Sequence, residues 1–171
     1  AHFFLAQGLR KGDVVNVLIE NRPELLATVV GLAKIGVISA LVNTSQTGKV
    51  LTHSINLVQP KRLIAGAECV PAISEVMADL NLDSDQFFWF ADVDSLSDAG
   101  TAPAGWRNLA IELQGCPSYN PPTTQQVRRK DGLFYIYTSG TTGLPKAAVF
   151  NHGRWMKAYG GFGYTFNLGA S

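Results

Sequence analysis

The sequence has 171 residues, of which 46% are hydrophobic and 16% are charged, and its formal net charge is +1. This length suffices for one domain with a hydrophobic core, and so small a net charge gives no electrostatic basis for nucleic-acid binding. The two cysteines, Cys69 and Cys116, lie far apart. Their spacing argues against a disulfide framework or a zinc site and fits a reducing, cytoplasmic compartment.

The ends and the composition suggest a fragment. The charged fraction is below the roughly 25% of an ordinary globular domain. Residue 1 is alanine, and residues 1–7 have the pattern of a helix tail. We therefore expect the remainder of the same chain to be a partner that covers part of this surface.

Strand and helix patterns alternate over the first half of the sequence. Asn21 is expected to cap the first complete helix, with Pro23 in its first turn. The alternation predicts right-handed crossovers, and hence an α/β fold with a parallel or mixed sheet and flanking helices. The predicted strands are 14–19, 37–42, 63–65 and 87–90, and the predicted helices between them are 23–35, 48–58 and 68–80.

One apolar stretch, 25–42, approaches the length of a membrane span. It contains Lys34, Gly31 and Gly36, so we interpret it as a helix, a turn and a strand rather than as a transmembrane helix. The apolar residues of that helix cover more than one stripe, which predicts that the helix is covered on more than one side.

The chain divides by composition into three parts. Residues 1–91 form the strand–helix repeat, and 92–130 form a crossing loop region rich in Asp, Ser, Gly, Pro and Thr, with a short helix near 106–112. A plain linker is the alternative for this region. Residues 131–171 form a hairpin and a following helix. All three belong, in this interpretation, to one larger and incomplete domain.

The third part contains the candidate site. A strand pattern over 133–137 leads into a run of hydroxyls and glycines that closes with Pro145, and 147–150 has the pattern of a second strand. Hydroxyl donors, glycines that let backbone N–H groups approach, and one cation without a carboxylate predict a phosphate cradle. The candidate residues are Thr138, Ser139, Gly140, Thr141, Thr142, Gly143 and Lys146.

Alternatives to this cradle remain open at this point. The loop is not a Walker A motif, because Pro145 and Ala147 replace the required glycine and hydroxyl residue. A flexible Ser/Thr/Gly connector has the same composition. Ser139 as an acyl nucleophile lacks the G-x-S-x-G context and an identifiable base. His152 is interpreted as a helix-start or packing residue.

After the second strand, Asn151 is expected to cap a helix that runs to about Tyr159. The cluster Gly160-Gly-Phe-Gly163 lacks dinucleotide spacing, so it is interpreted as a turn.

The string YIYTSGTTGLPKAA resembles the phosphate-loop signature of the adenylate-forming enzymes, which include acyl-CoA synthetases, luciferases and peptide synthetase adenylation domains. With VFNHGRW it is most similar to the fatty acid transport protein branch, the very-long-chain acyl-CoA synthetases. The segment from Gly8 to Leu57 also looks like the N-terminal region of acyl-CoA synthetases, where an Asn-Thr pair leads into a helix carrying Leu and His. The similarity is loose between Asp92 and Arg129.

The resemblance implies a two-step ligation with ATP, Mg²⁺ and coenzyme A. A fatty acid attacks the α-phosphate of ATP, and the CoA thiol then displaces AMP to give acyl-CoA. The hydroxyl residues and glycines of the loop would bind the β- and γ-phosphates, and Lys146 would neutralise pyrophosphate. The family's magnesium-binding glutamate, adenine pocket and catalytic lysine lie further along the chain, so the fragment alone is expected to be inactive.

Two further expectations accompany the resemblance. The branch implies peripheral membrane association, and the acid need not be a fatty acid, since a bile acid, carnitine or an aromatic acid fits a related ligase. A non-catalytic nucleotide-binding or membrane-docking module is the alternative from another functional class.

Overall fold

The computed structural model describes residues 1–91, 101–139 and 143–165, with side chains described to residue 161. Within these residues the chain forms an α/β fold with a single seven-stranded sheet. The strands are β1 (Val14–Leu18), β2 (Ile38–Leu41), β3 (Arg62–Gly66), β4 (Phe87–Phe90), β5 (Arg107–Asn108), β6 (Gly132–Thr138) and β7 (Lys146–Asn151). The α-helices are α1 (His2–Ala6), α2 (Pro23–Ala33), α3 (Gly48–Leu57), α4 (Val70–Val76), α5 (Leu109–Glu112) and α6 (His152–Thr165).

The strands are ordered β5-β4-β3-β1-β2-β6-β7. Every neighbouring pair is parallel except β6 and β7, which form an antiparallel hairpin at the sheet edge. The chain passes from β1 to β2 in one direction and then returns across β1 to β3. The prediction of a mixed sheet with flanking helices is therefore confirmed.

Each face of the sheet has its own hydrophobic core, because parallel strands need cover on both sides. On one face, α3 and α4 pack through residues such as Leu51, Ile55 and Ile73. On the other face, α1, α2 and α5 contribute Phe3, Leu32 and Leu109. All of these side chains are buried. The hairpin therefore extends a sheet whose centre is fixed from both sides.

Two predicted helix ends were wrong. The helix α2 begins at Pro23 with Arg22, in extended backbone conformation, at the N-cap position, so Asn21 lies one residue too early to cap it. The predicted turn at Gly160–Gly163 lies inside α6, which continues to Thr165. Glycine costs a helix only about 1 kcal/mol per residue, and no proline interrupts the hydrogen bonding there.

The crossing region contains more structure than its composition indicated. Residues 107–108 form strand β5, which pairs in parallel with β4, and α5 follows directly. Trp106 is buried with its ring 5.4 Å from that of Phe87. A strand this short has no periodicity to detect, so the prediction of a helix from 106 started too early. Residues 92–100, the first part of the predicted crossing loop region, lie outside the described part of the chain. The division of the chain into three parts at 91 and 130 stays a prediction.

The helix predicted for 68–80 is broken into α4 and two short 3₁₀ turns, Ala67–Cys69 and Met77–Asp79.

One side of α2 is covered, since Thr28 and Leu32 are buried, whereas Leu26 and Val30 on this helix are exposed. Among the described residues, no helix is long and apolar enough to cross a membrane.

Candidate functional site

The candidate site lies at the tip of the β6–β7 hairpin. Thr138 ends β6 and is directly opposite Lys146, the first residue of β7. Both side chains are exposed, as is that of Ser139. Gly143 has a φ of +84°, a left-handed conformation that glycine adopts without strain. The structure therefore places four of the predicted site residues around one turn.

Three predicted residues of the same loop, Gly140, Thr141 and Thr142, lie outside the described residues. The second strand predicted after the loop is confirmed, since β7 begins at Lys146. A phosphate bound here would therefore meet loop amides and side chains without a helix N-terminus directly behind the lysine.

Lys146 carries the positive charge at this tip. No carboxylate of the described residues lies within ion-pair distance of its ammonium group. An exposed cation beside hydroxyl groups, with no acidic partner, favours an anion as its ligand. The assignment of Lys146 to a phosphate-binding site stays a prediction.

A cavity of about 580 Å³ lies beside the hairpin tip, between β6, β7 and helix α3. Helix α3 and the residues after it contribute one wall, and the hairpin contributes the other. The lining residues are His53, Leu57, Val58, Gln59, Tyr135, Leu144, Pro145, Lys146 and Ala147.

Two side-chain hydrogen bonds connect the hairpin to α3. His53 Nε2 lies 3.1 Å from the Pro145 carbonyl oxygen, and Tyr137 Oη donates to the Ser54 carbonyl oxygen at 2.7 Å. Burial, with a smaller contribution from Tyr135, raises the pKa of Tyr137, so its hydroxyl remains a proton donor across the physiological range.

A buried asparagine on the central strand supports the same helix. Asn16 is fully buried on β1 and donates from Nδ2 to the Ile55 carbonyl oxygen at 3.0 Å. Ser54 and Ile55 belong to the last turn of α3, whose carbonyl groups have no partner within the helix. The hydroxyl of Tyr137 and the amide of Asn16 thus satisfy neighbouring carbonyls at one helix end.

Sequence reasoning assigned no role to His53, Tyr137 or Asn16. A signal existed for Tyr137, because Tyr135 and Tyr137 alternate with Ile136 and must point to one face of the strand. Nothing in the sequence showed that this face would meet α3, since 83 residues separate Tyr137 from its acceptor.

His152 is not part of the tip. It starts α6 at the opposite end of β7, roughly 20 Å from Lys146 at the usual rise per residue. Burial lowers the pKa of His152 below its ordinary 6.5, against the opposing effect of Asp131. Asn151 Oδ1 accepts a hydrogen bond from the Arg154 backbone N–H at 2.8 Å, which confirms the predicted cap. The interpretation of His152 as a helix-start residue agrees with this position.

The implied Mg²⁺ has no evident ligand set here. Over the part of the chain that the structure describes, no group of three or more His, Cys, Asp and Glu side chains could hold a metal ion. The loop string itself contains hydroxyls and one lysine but no carboxylate. The donors of the loop string and of the described residues therefore do not match the oxygen-rich, acidic set that Mg²⁺ prefers.

Residues 1–170 match the family described as AMP-binding enzyme. The chain is 37% identical over 158 residues to the medium/long-chain-fatty-acid–CoA ligase FadD6 of Mycobacterium tuberculosis, covering 92% of this chain and 24% of that protein. It is 35% identical over 169 residues to long-chain fatty acid transport protein 1 of Rattus norvegicus, covering 96% of this chain and 25% of that protein. The chain thus spans about a quarter of the length of these curated relatives.

Solved structures give the same result for the fold. A fatty acyl CoA synthetase of Mycobacterium tuberculosis matches with a TM-score of 0.67 and 25% identity, over 88% of this chain and 26% of that one. A putative long-chain-fatty-acid CoA ligase of Rhodopseudomonas palustris CGA009 has a TM-score of 0.77 at 21% identity, over 99% of this chain and 39% of that one.

Proposed function

Because the chain belongs to the AMP-binding enzyme family, we propose that its full-length protein activates a long- or very-long-chain fatty acid with ATP. The carboxylate attacks the α-phosphate, giving an acyl-adenylate and pyrophosphate, and the thiol of coenzyme A then displaces AMP. This chain contributes the hairpin tip, which binds the phosphates of ATP. Residues that complete the active site lie elsewhere in the protein, so these residues alone do not carry out the reaction.

The observation that carries the proposal is the isolated charge at the hairpin tip. Lys146 is exposed, stands opposite Thr138, and has no carboxylate partner among the described side chains. The departing pyrophosphate carries several negative charges, and a fixed cation beside it lowers the energy of the transition state.

Each kind of loop residue has a distinct role in this proposal. The hydroxyls of Thr138, Ser139, Thr141 and Thr142 donate hydrogen bonds to the β- and γ-phosphates. Gly140 and Gly143 allow backbone N–H groups to approach the same oxygens, since no Cβ stands between them and the ligand. Nothing lies within 4 Å of a Cβ built on Gly143, so this position faces open space.

The test is ATP–pyrophosphate exchange with long-chain fatty acids, measured on the full-length protein. We expect Lys146→Ala to lower the exchange rate by about 10²-fold or more, the size of effect seen when one group that stabilises developing charge is removed. The matched control is Lys130→Ala, which removes another exposed lysine, before β6 at the base of the hairpin.

The two lysines give opposite expectations, so the result is decisive. Equal exchange rates in Lys146→Ala and the wild type would remove the role proposed for Lys146. A comparable loss in Lys130→Ala would show that general positive charge, rather than the hairpin tip, supports the reaction.

The nature of the acid and the location of the protein belong to the same proposal. The names of the relatives support a fatty acid, and a panel of fatty, bile and aromatic acids with carnitine decides between them. We propose a cytoplasmic protein that associates peripherally with membranes. Liposome flotation of the intact protein tests the association, and complete recovery in the unbound fraction would refute it.

A further inference from the structure

We propose that helix α3 positions the phosphate-binding tip by holding both strands of the hairpin, with His53 and Tyr137 as positioning residues. The term α3 clamp is used here for two hydrogen bonds, His53 Nε2 to the Pro145 carbonyl and Tyr137 Oη to the Ser54 carbonyl. The inference rests on the proposed function, because it concerns how the tip is held for nucleotide.

The clamp holds the loop at its two ends. Tyr137 is the residue immediately before Thr138, and Pro145 is the residue immediately before Lys146. On the helix, the partners are consecutive residues, the side chain of His53 and the carbonyl of Ser54. One short segment of α3 therefore fixes the outgoing and the returning strand where the loop begins and ends.

Helix α3 is a firm base for this task. Leu51 and Ile55 have no exposed surface, so one side of the helix is held in the core. Asn16 holds the Ile55 carbonyl from inside the sheet. Asn56 makes two more bonds at the same helix end, donating to the Asp79 carbonyl and accepting from the Asn81 N–H, both at 2.9 Å.

On the side that faces α3, Tyr135 and Tyr137 of β6 pack against the core, whereas β7 contributes no buried residue. Along β7, Lys146, Ala148 and Val149 are exposed and Ala147, Phe150 and Asn151 are partly exposed, and β7 is an edge strand. A cavity lies between the end of α3 and the hairpin tip, so these two elements are not in continuous contact there. His53 and Pro145 both line this cavity and their hydrogen bond joins its two walls, so we expect the loss of the clamp to affect the tip more than the core.

The chemistry of each bond determines which substitution tests it. The Pro145 carbonyl can only accept, so His53 must carry a proton on Nε2, and the neutral tautomer and the cation both provide it. A glutamine amide reaches a similar position and also donates. Tyr137→Phe removes only the hydroxyl and leaves the ring in place.

The expected effect is on nucleotide binding rather than on the chemical step. A typical hydrogen bond contributes about fivefold to an equilibrium, and a misplaced tip binds the phosphates less well before and during reaction alike. We expect Tyr137→Phe and His53→Leu each to raise KM for ATP about fivefold, with less than about twofold change in kcat and in KM for the fatty acid.

The experiment combines hydrogen exchange with kinetics on the full-length protein. Without nucleotide, peptides covering β7 should exchange about fivefold faster in Tyr137→Phe and His53→Leu, while peptides covering β1 and β3 remain as in the wild type. His53→Gln should restore both exchange and KM. Tyr159→Phe is the matched control, because Tyr159 is 76% exposed on α6.

Each outcome decides a separate question. If peptides covering β7 exchanged at the wild-type rate in both variants, the α3 clamp would not hold the hairpin and the inference would be overturned. Faster exchange of β7 with an unchanged KM for ATP would show that the two hydrogen bonds hold the hairpin without affecting nucleotide binding. This result would also overturn the inference. If the wild type forms no adenylate from any acid, the proposed function fails and the positioning role fails with it, and the exchange data then show only whether the clamp holds the hairpin.

Discussion

The parallel part of the sheet, β1 to β4, and the β6–β7 hairpin differ in how much of their side-chain surface is buried. All five residues of β1 are buried, and three of the four residues of β4 are. In β7 no residue is buried, and β6 is buried only at Leu133 and Phe134. The buried contacts of the fold are therefore concentrated in the parallel strands, whereas the residues of the candidate site lie on the hairpin.

The difference follows from strand pairing. A parallel sheet is covered by its crossover helices on both faces, whereas an antiparallel hairpin at an edge can leave one face open. Here β6 is attached to β2 through the register from Ser39↔Phe134 to Leu41↔Ile136, and β7 is attached only to β6. Exposed strands of this kind can present polar groups without a core residue beneath each of them.

The largest expected effect comes from replacing one phenylalanine by alanine in each region and comparing the losses in the free energy of unfolding. Phe88 on β4 is fully buried, and its ring contacts those of Phe3 and Phe4 at centroid distances of 5.6 and 5.9 Å. We expect Phe88→Ala to lower the free energy of unfolding by about 3–5 kcal/mol, as for other buried phenylalanines. Urea unfolding of the full-length protein provides the measurement.

The hairpin partner in this test is Phe150→Ala. Phe150 is only partly buried and contacts the Trp155 ring at 6.4 Å and the Arg154 guanidinium at 4.9 Å. We expect a loss of about 1 kcal/mol, within the ordinary range for a partly exposed side chain. Similar losses in the two variants would mean that the hairpin is part of the core, contrary to the comparison.

The parallel part was also the easier one to predict from sequence. Mostly apolar runs such as 14–18 and 87–90 are typical of strands buried on both faces, and the alternation with helices predicted a parallel or mixed sheet. Strand β5 was missed because two residues show no periodicity. The continuation of α6 through Gly160–Gly163 was missed because local propensity favours a turn there.

The candidate site was predictable as a list of residues and not as an arrangement. The order of hydroxyls, glycines and Lys146 is local, so the sequence predicts a phosphate cradle, with a flexible connector as the alternative. The contacts that hold the hairpin tip are not local, since the bond from His53 to Pro145 joins residues 92 positions apart. Such contacts depend on which helix packs beside the hairpin, and that is decided by the order of strands in the sheet.

A second prediction concerns the polar group within the parallel part. Asn16 is the buried polar residue on β1 that supports the end of α3. Asn16→Leu keeps the size of the side chain and leaves the Ile55 carbonyl without this donor, so we expect a loss of about 1–3 kcal/mol in the free energy of unfolding. Urea unfolding checks this value. A variant more stable than the wild type would show that an apolar side chain at position 16 stabilises the fold more than the hydrogen bond of Asn16 does.

A third prediction uses the open side of α2. Leu26 is 68% exposed and, with Val30 and Trp155, lines an apolar groove of about 580 Å³ on the sheet face opposite α3. The expectation that α2 is covered on a second side implies that Leu26→Ser destabilises the full-length protein by about 1–2 kcal/mol through lost apolar burial.

The matched control is Ile111→Ser, which changes a residue that is 54% exposed on α5. We expect this variant to stay within about 0.5 kcal/mol of the wild type, as is usual for a surface position. If Leu26→Ser were equally neutral, α2 would have water on its second side, and the expected cover would be absent.

The smallest effect concerns an ion pair that joins the two regions. Asp131 lies just before β6 and pairs with Lys11, which precedes β1, at 2.5 Å. The hydrogen bond from Lys11, followed by that from the Arg128 N–H, holds the pKa of Asp131 below its ordinary 3.8. A lowered carboxylate pKa adds stability that is complete above the unfolded-state value and is lost as pH falls through the folded-state value.

Asp131→Asn separates this charge effect from the turn geometry, because the amide oxygen of asparagine can still accept from Arg128. We expect the variant to be slightly less stable than the wild type at pH 7, with the difference disappearing as pH falls below about 4. Urea midpoints measured at several pH values provide the check. A difference that persisted at low pH would assign the contribution of Asp131 to the turn, and the two regions would then be joined by backbone pairing and packing rather than by charge.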